Sequence, residues 1–161
     1  MAQKRKADHT KRTGKAGGKT TGATLAKAAA LLKKIEEQTA RDVKRRLGDN
    51  WRDNLFEIMM TRIDLAAPHK KTFAALPKEF RHDPKAIPEF ARLFWRTMSR
   101  LLKLAKAPAH PQHVAAFGVL YATIVDTFLK DTTRDHAKTM AALDKRLGLF
   151  EQFVDFASCK R

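Results

Sequence analysis

The chain has 161 residues, enough for one domain with a sizeable core, and 33 Lys and Arg against 17 Asp and Glu give a net charge of +16. A field of that sign attracts polyanions such as nucleic acid, anionic lipid or an acidic protein. A single cysteine, Cys159, excludes an internal disulfide, and no uninterrupted apolar run approaches the ~18 residues of a membrane span. We therefore expect a cytoplasmic protein.

Residues 1–22 contain no Val, Ile, Leu, Phe, Tyr or Trp, and this composition predicts a flexible tail. The tail is strongly basic, with Asp8 as its one acidic residue. We expect it to make a non-specific contact with nucleic acid or with an anionic membrane. The cations that would make this contact are Lys4, Arg5, Lys6, Lys11, Arg12, Lys15 and Lys19.

Gly18-Lys19-Thr20 is also the end of a phosphate-loop signature, in which backbone N–H groups wrap a phosphate between a strand and a helix. The signature needs a glycine five residues before Gly18, and Thr13 occupies that position. No apolar segment precedes it to form the strand. The stretch is therefore interpreted as part of the tail.

The remainder, residues 23–161, is predicted to be one helical domain. Apolar residues recur at intervals of three and four from Thr24 to Leu47, and Gly48 is a typical C-terminal stop. Asn50 is predicted to cap a second helix that begins at Trp51.

Two prolines interrupt the middle of the chain. Because Pro77 removes a backbone donor, residues 69–82 are predicted to form one or two short helical pieces. Asp83 before Pro84 then signals the start of a long helix. Its polar face carries a cationic row that is interpreted as a solvated face, with phosphate binding as the alternative: Arg92, Arg96, Arg100 and Lys103.

Two further helices are predicted over residues 112–130 and 133–156, with Thr132 or Thr133 as the cap of the second. The first is apolar on nearly every side, which is typical of a central helix or of one that faces a partner chain. No segment has the alternating pattern of a strand. The predicted fold class is an all-α bundle of about six helices.

No catalytic constellation is evident. The chain has two serines, neither in a nucleophile-elbow setting, and its carboxylates stand mostly beside cations. His110 and His113 have metal-ligand spacing, but no third ligand stands near them. We expect no enzymatic activity, no metal and no cofactor.

Residues 51–70 and 119–147 resemble the ligand-binding and dimerisation domain of TetR-type regulators. The first block follows the pattern R-D-x-L-F-x-x-x-M-x-R-x-D-x-x-x-P-H, from Arg52 to His69. The second follows L-x-D-x-[ST]-x-D-x-x-x-T-M-A-x-L-D-x-R-L, from Leu129 to Leu147. This second block is also similar to the ubiquinone-biosynthesis accessory protein of the Coq series, which has a TetR-like fold and binds lipid.

A TetR-type repressor begins with a three-helix DNA reader, and the residues before Asn50 do not form one. The resemblance therefore implies a regulator-type body without its reader. It implies a homodimer in which the last two helices pair with their counterparts. By position, the dimer interface would include Phe117, Tyr121, Ile124, Phe128, Met140, Leu147 and Phe150.

The resemblance also implies a ligand cavity among the preceding helices, although a filled core would use the same residue types. The residues predicted to line it are Leu55, Met59, Met60, Phe90, Phe94, Met98 and Tyr121. The predicted function is a dimeric regulatory protein that binds an apolar ligand and contacts nucleic acid through its tail. The alternatives are a lipid- or quinone-binding accessory protein in ubiquinone biosynthesis and a structural interaction module.

Overall fold

A computed structural model of the protein describes the backbone of residues 17–159 and, in that range, the side chains of all residues except 17–22, 24 and 159. The secondary structure of this part of the chain consists of helices joined by loops and contains no strand, which confirms the predicted all-α class. The helices are α1 (Gly17–Val43), α2 (Trp51–Ala66), α3 (Lys70–His82), α4 (Ile87–Leu104), α5 (Pro111–Lys130) and α6 (Ala137–Cys159). Short 3₁₀ turns, Ala67–His69 and Pro84–Ala86, precede α3 and α4.

Helix α5 lies at the centre of the bundle, between α4 on one side and α6 on the other. Helix α2 packs on α6 and α1, and α1 also packs on α3. The buried core is supplied mainly by α2, α4, α5 and α6. Helix α3 contributes a single buried side chain, Phe73, so the side of the bundle that α3 covers is less densely filled.

The junction between α1 and α2 is fixed by two asparagines. Asn50 is the N-cap of α2 as predicted, and its side-chain oxygen accepts from the backbone N–H groups of Arg52 at 2.8 Å and Asp53 at 3.4 Å. The buried Asn54 side chain accepts from Gly48 N and donates to the carbonyls of Gly48 and Ala105. One amide therefore ties the loop before α2 to the end of α4.

The loop between α5 and α6 is organised by Asp131, which is 3% exposed. One carboxylate oxygen accepts from the backbone N–H and hydroxyl of Thr133, and the other accepts from the same two groups of Thr139. The predicted cap at Thr132 or Thr133 is wrong, because α6 begins only at Ala137 and its first turn is held by the carboxylates of Asp131 and Asp135.

The start of α1 and the continuity of α3 also differ from the sequence expectation. Helix α1 begins at Gly17, so the last six residues of the predicted tail belong to it, because the alanine-rich segment that follows favours helix propagation. Helix α3 runs through Pro77 without a break. A proline in the eighth position of a helix forfeits one backbone hydrogen bond, and the packing of α3 on α1 and α5 outweighs that loss.

Candidate ligand cavity

An apolar cavity of about 390 Å³ lies where α2, α3, α4 and α5 meet under the middle of α1. This volume is in the range that proteins use for small-molecule ligands. Helix α1 supplies Leu32 and Ile35, and α5 supplies the stretch from Tyr121 to Leu129. The walls are made almost entirely of aliphatic and aromatic side chains, so an apolar ligand is the chemistry that this cavity fits.

The cavity collects four of the seven residues predicted to line it: Met59, Phe90, Phe94 and Tyr121. The other three are corrections. Leu55 and Met98 are at most 1% exposed and belong to the filled core, whereas Met60 is half-buried and packs against that core from outside. Both the filled core and the cavity therefore exist, in different parts of the bundle.

Sequence reasoning missed the contribution of α3 to the cavity. Phe73, Leu76, Pro77 and Phe80 lie along its inner face and close one side of the space. Their spacing of three and four is the signal that could have found them. The proline at position 77 conceals this periodicity, because proline normally interrupts a helix.

The aromatic side chains of the wall hold one another in place. Phe80 and Phe90 meet edge to face with ring centroids 4.9 Å apart, and Phe94 meets Tyr121 in the same way at 5.7 Å. Helices α4 and α5 approach closely at Gly118, where an added Cβ would lie 3.2 Å from Cε1 of Phe94. The Phe94 ring can therefore take this position because residue 118 is a glycine, which has no Cβ.

One cavity-lining residue is a cation. Arg62 of α2 is 3% exposed, and its Nη2 donates to the Tyr121 hydroxyl at 3.3 Å. Its guanidinium carbon also lies 5.7 Å from the centroid of the Tyr121 ring. Nε and Nη1 of Arg62 have no hydrogen-bond partner among residues 17–159. Such a group is exceptional in a folded protein, because buried charges are normally paired.

The predicted cationic row of α4 is exposed to solvent, and one of its members is paired: Arg100 Nη1 lies 2.8 Å from Glu36 Oε1. Arg92 and Arg96 border a second hollow that also contains Glu89 and Asp83. This hollow carries both carboxylates and cations, so it does not present the uniform positive surface that a phosphate backbone would select.

Most residues of the predicted dimer interface lie inside a single chain. Five of them are at most 4% exposed, and this is a correction because a side chain without surface cannot contact a second chain: Phe117, Ile124, Phe128, Leu147 and Phe150. Tyr121 is half-buried at the cavity, and Met140 is 41% exposed. The five residues are buried because α5 and α6 pack on each other along most of their length.

Helices α5 and α6 expose a different set of large apolar side chains, which we call the α5–α6 face: Val119, Leu149, Phe153 and Phe156. Val119 is 68% exposed and Phe156 61% exposed. The three α6 residues repeat at intervals of four and three and therefore share one side of that helix. Together with Met140, these side chains are the large apolar residues that α5 and α6 expose to solvent.

The predicted nucleic-acid-binding residues Lys4, Arg5, Lys6, Lys11, Arg12 and Lys15 lie outside the described residues, and only the backbone of Lys19, in α1, is described. Helix α5, with 20 residues and a mean hydropathy of 1.2, passes the length and composition test for a membrane span. Core helices pass the same test, and α5 packs between α4 and α6.

Comparisons with family models, with curated proteins and with solved structures give no match to this chain. The cavity, the buried Arg62 and the α5–α6 face are therefore the features from which its function is inferred.

Proposed function

We propose that the protein is a TetR-like, reader-less regulatory protein of the cytoplasm that binds an apolar small molecule in the cavity beneath α1. The single observation that supports this proposal is the cavity of about 390 Å³ walled by apolar side chains from five helices. An apolar space of this size is costly to keep empty, because its lining loses dispersion contacts. A bound molecule would restore those contacts.

The resemblance of residues 51–70 and 119–147 to TetR-type ligand-binding domains is in keeping with this function. In that fold the last two long helices pair with those of a second subunit, and here α5 and α6 carry the exposed α5–α6 face. Exposed apolar patches of this kind are typical of subunit interfaces. We propose a homodimer formed through the α5–α6 face.

The alternative with specific support is a lipid- or quinone-binding accessory protein, as in ubiquinone biosynthesis. The same apolar cavity would serve it, and the second sequence block resembles such a protein. The two functions differ in what happens after binding: a regulator changes its contact with nucleic acid, whereas an accessory protein delivers its ligand. A structural interaction module, the third possibility, would bind no ligand.

Filling the cavity tests the proposal. Ala66 lies half-buried in the cavity wall, and Ala66→Phe would place a ring inside the space. Native mass spectrometry and titration of the neutral dye Nile red should show an apolar molecule in the wild type and none in this variant. Ala74→Phe, on the exposed side of α3, is the matched control and should bind as the wild type does. Equal binding by both variants, or none by the wild type, would contradict the proposal.

The proposed homodimer is tested by introducing a charged side chain into the α5–α6 face. Val119→Glu places a carboxylate in the α5–α6 face, and the dimer should dissociate to a monomer in size-exclusion chromatography with light scattering. Ile87→Glu is the control, since Ile87 is 46% exposed but lies on α4. A monomeric wild type would remove the dimer from the proposal.

The contact of the basic N-terminal segment with DNA is tested by the salt dependence of the DNA affinity. If its seven cations each displace a counterion from DNA, the log–log slope of affinity against salt should approach about −6, at about −0.9 per phosphate. Deleting residues 1–16 removes six of these cations and should make the slope shallower by about 5. Unchanged DNA affinity after deletion, with vesicle flotation abolished instead, would favour the membrane contact.

A further inference from the structure

Arg62 places a buried cation in the wall of the cavity, and this property goes beyond the binding of an apolar molecule. Its side chain is 3% exposed, so water does not solvate the charge, yet two of its nitrogens have no acceptor among the described residues. A buried guanidinium that lacks an anion loses its hydration without compensation. The protein keeps this unfavourable arrangement beside a cavity that has room for an acceptor.

The chain's own carboxylates do not neutralise Arg62 in the described structure. Asp126 is the one acidic residue of the cavity lining, and its Oδ2 lies 2.8 Å from Lys130 Nζ. The Asp126 side chain is also 62% exposed, which places it at the mouth of the cavity instead of its interior. Asp64, two residues beyond Arg62 on α2, is exposed to solvent.

The hydrogen bond to Tyr121 orients the guanidinium without neutralising it. A phenol oxygen is an uncharged acceptor, and it occupies one of the five N–H donors that an arginine offers. Tyr121 is itself held by edge-to-face contacts with Phe94 and Phe117, at centroid distances of 5.7 and 6.4 Å. Arg62 thus has unpaired donors beside an apolar space that its side chain helps to line.

We propose that the ligand of this cavity is an apolar molecule with a single carboxylate, such as an alkyl or isoprenoid acid, whose head group pairs with Arg62. One cation in an apolar enclosure matches one negative charge, and a guanidinium is well suited to a carboxylate. The apolar body of the ligand would lie against Phe73, Phe80, Phe90 and Phe94. This inference rests on the proposed function and specifies the head group of the ligand.

Three ligands with the same alkyl chain separate the head group from the body. Isothermal titration calorimetry of the full-length protein should give the tightest binding for dodecanoate among dodecanoate, dodecanol and dodecylamine, with the two charged ligands kept below their micelle concentrations and dodecanol below its solubility limit. A hydrogen bond to a charged group predicts an advantage over dodecanol of roughly ten- to a hundredfold. Dodecylamine should bind least well of the three.

Arg62→Met keeps much of the volume of the side chain and removes its charge. This variant should lose the preference for dodecanoate and bind dodecanol at least as well as the wild type does. Arg62→Lys keeps the charge and should retain part of the preference, which guards against a folding defect in the first variant. Arg45→Met removes an exposed cation in the turn after α1 and should leave all three affinities unchanged.

The outcomes distinguish this inference from the function on which it rests. If dodecanol binds the wild type as tightly as dodecanoate, or if Arg62→Met leaves dodecanoate binding unchanged, the carboxylate assignment is overturned while the apolar cavity stands as a binding site. If none of the three ligands binds the wild type, both the assignment and the proposed function fail.

Discussion

The two ends of α2 face different interiors. Towards its N-terminus, Leu55 and Ile58 are fully buried in the filled core that α4, α5 and α6 complete. Towards its C-terminus, Met59, Arg62 and Ala66 form a wall of the cavity. One helix thus contributes to dense packing at one end and to an open space at the other.

The difference lies in the neighbouring helices, because the residue types overlap. Phe, Met and Leu occur in both regions, but α6 packs closely along α5 and fills the space beside the N-terminal half of α2. On the other side, α3 presents Pro77, and α2 presents the small Ala66 and the polar Arg62. These side chains do not fill the space between the helices. A cavity is therefore a property of how neighbouring helices meet.

The largest expected effect comes from truncating the filled side. Leu55→Ala should lower the free energy of unfolding by about 3 kcal/mol, because it leaves a hole in a close-packed core. Phe94→Ala on the cavity side should cost only about 1–2 kcal/mol, because this half-buried ring already borders open space. Urea denaturation measures both. A cost for Phe94→Ala equal to that for Leu55→Ala would mean that the two regions are equally well packed.

The next effect concerns the two aspartates at the end of α5. Hydrogen bonds from Thr133 foremost, and from Thr139, hold the pKa of Asp131 well below its ordinary value, against the opposing effect of burial. Asp131→Asn should lower Tm by roughly 5 °C or more at neutral pH, because the amide cannot accept all four hydrogen bonds. Asp126→Asn is the exposed control and should change Tm little.

The effect of Asp131→Asn on Tm should depend on pH, and the depressed pKa of Asp131 gives the direction of this dependence. A carboxyl whose pKa is depressed by folding stabilises the protein above its unfolded-state pKa of about 4, and this contribution is lost as the pH falls below that value. The Tm difference between the wild type and Asp131→Asn should therefore be constant above about pH 5 and shrink progressively as the pH falls from about 5 to about 2. A constant difference would show that the Asp131 carboxylate is not favoured by folding.

A gain in stability is expected at Arg62. Arg62→Met should raise the free energy of unfolding of the ligand-free protein by about 1–3 kcal/mol, because it removes a buried charge that lacks an anionic partner. Arg45→Met, on the surface, should change it by less than about 0.5 kcal/mol. Chemical denaturation of delipidated protein gives both values. Destabilisation by Arg62→Met would mean that the guanidinium is already satisfied.

The smallest effect is expected at Gly118. Gly118→Ala should gain up to about 0.5–1 kcal/mol from helix propensity, provided that the Phe94 ring yields. The ring would then move towards the cavity, so the affinity for dodecanol should fall a few-fold in calorimetry. Stabilisation without any loss of affinity would show that the Phe94 ring does not limit the space for the ligand.

Sequence periodicity predicted much of the fold, and the TetR resemblance indicated four of the residues that line the cavity. The Asn50 cap and the long helices follow from local signals that act within a few residues. The continuity of α3 through Pro77 could not be predicted locally, since contacts with α1 and α5 decide it. Arg62 enters the sequence expectation only as one position of the TetR-like pattern. Its place seven residues after Leu55 puts it on the same face of α2, which is the signal for its burial.

The sequence by itself determined an all-helical body, its strongly basic charge and the positions at which most helices begin. Each of these depends on interactions between residues close together in the chain. Only the tertiary structure decided which Phe and Met side chains interdigitate and which leave a space, and that α5 and α6 bury Phe117 and Leu147 within one chain. Packing depends on the distance between helices far apart in sequence, and no local pattern encodes that distance.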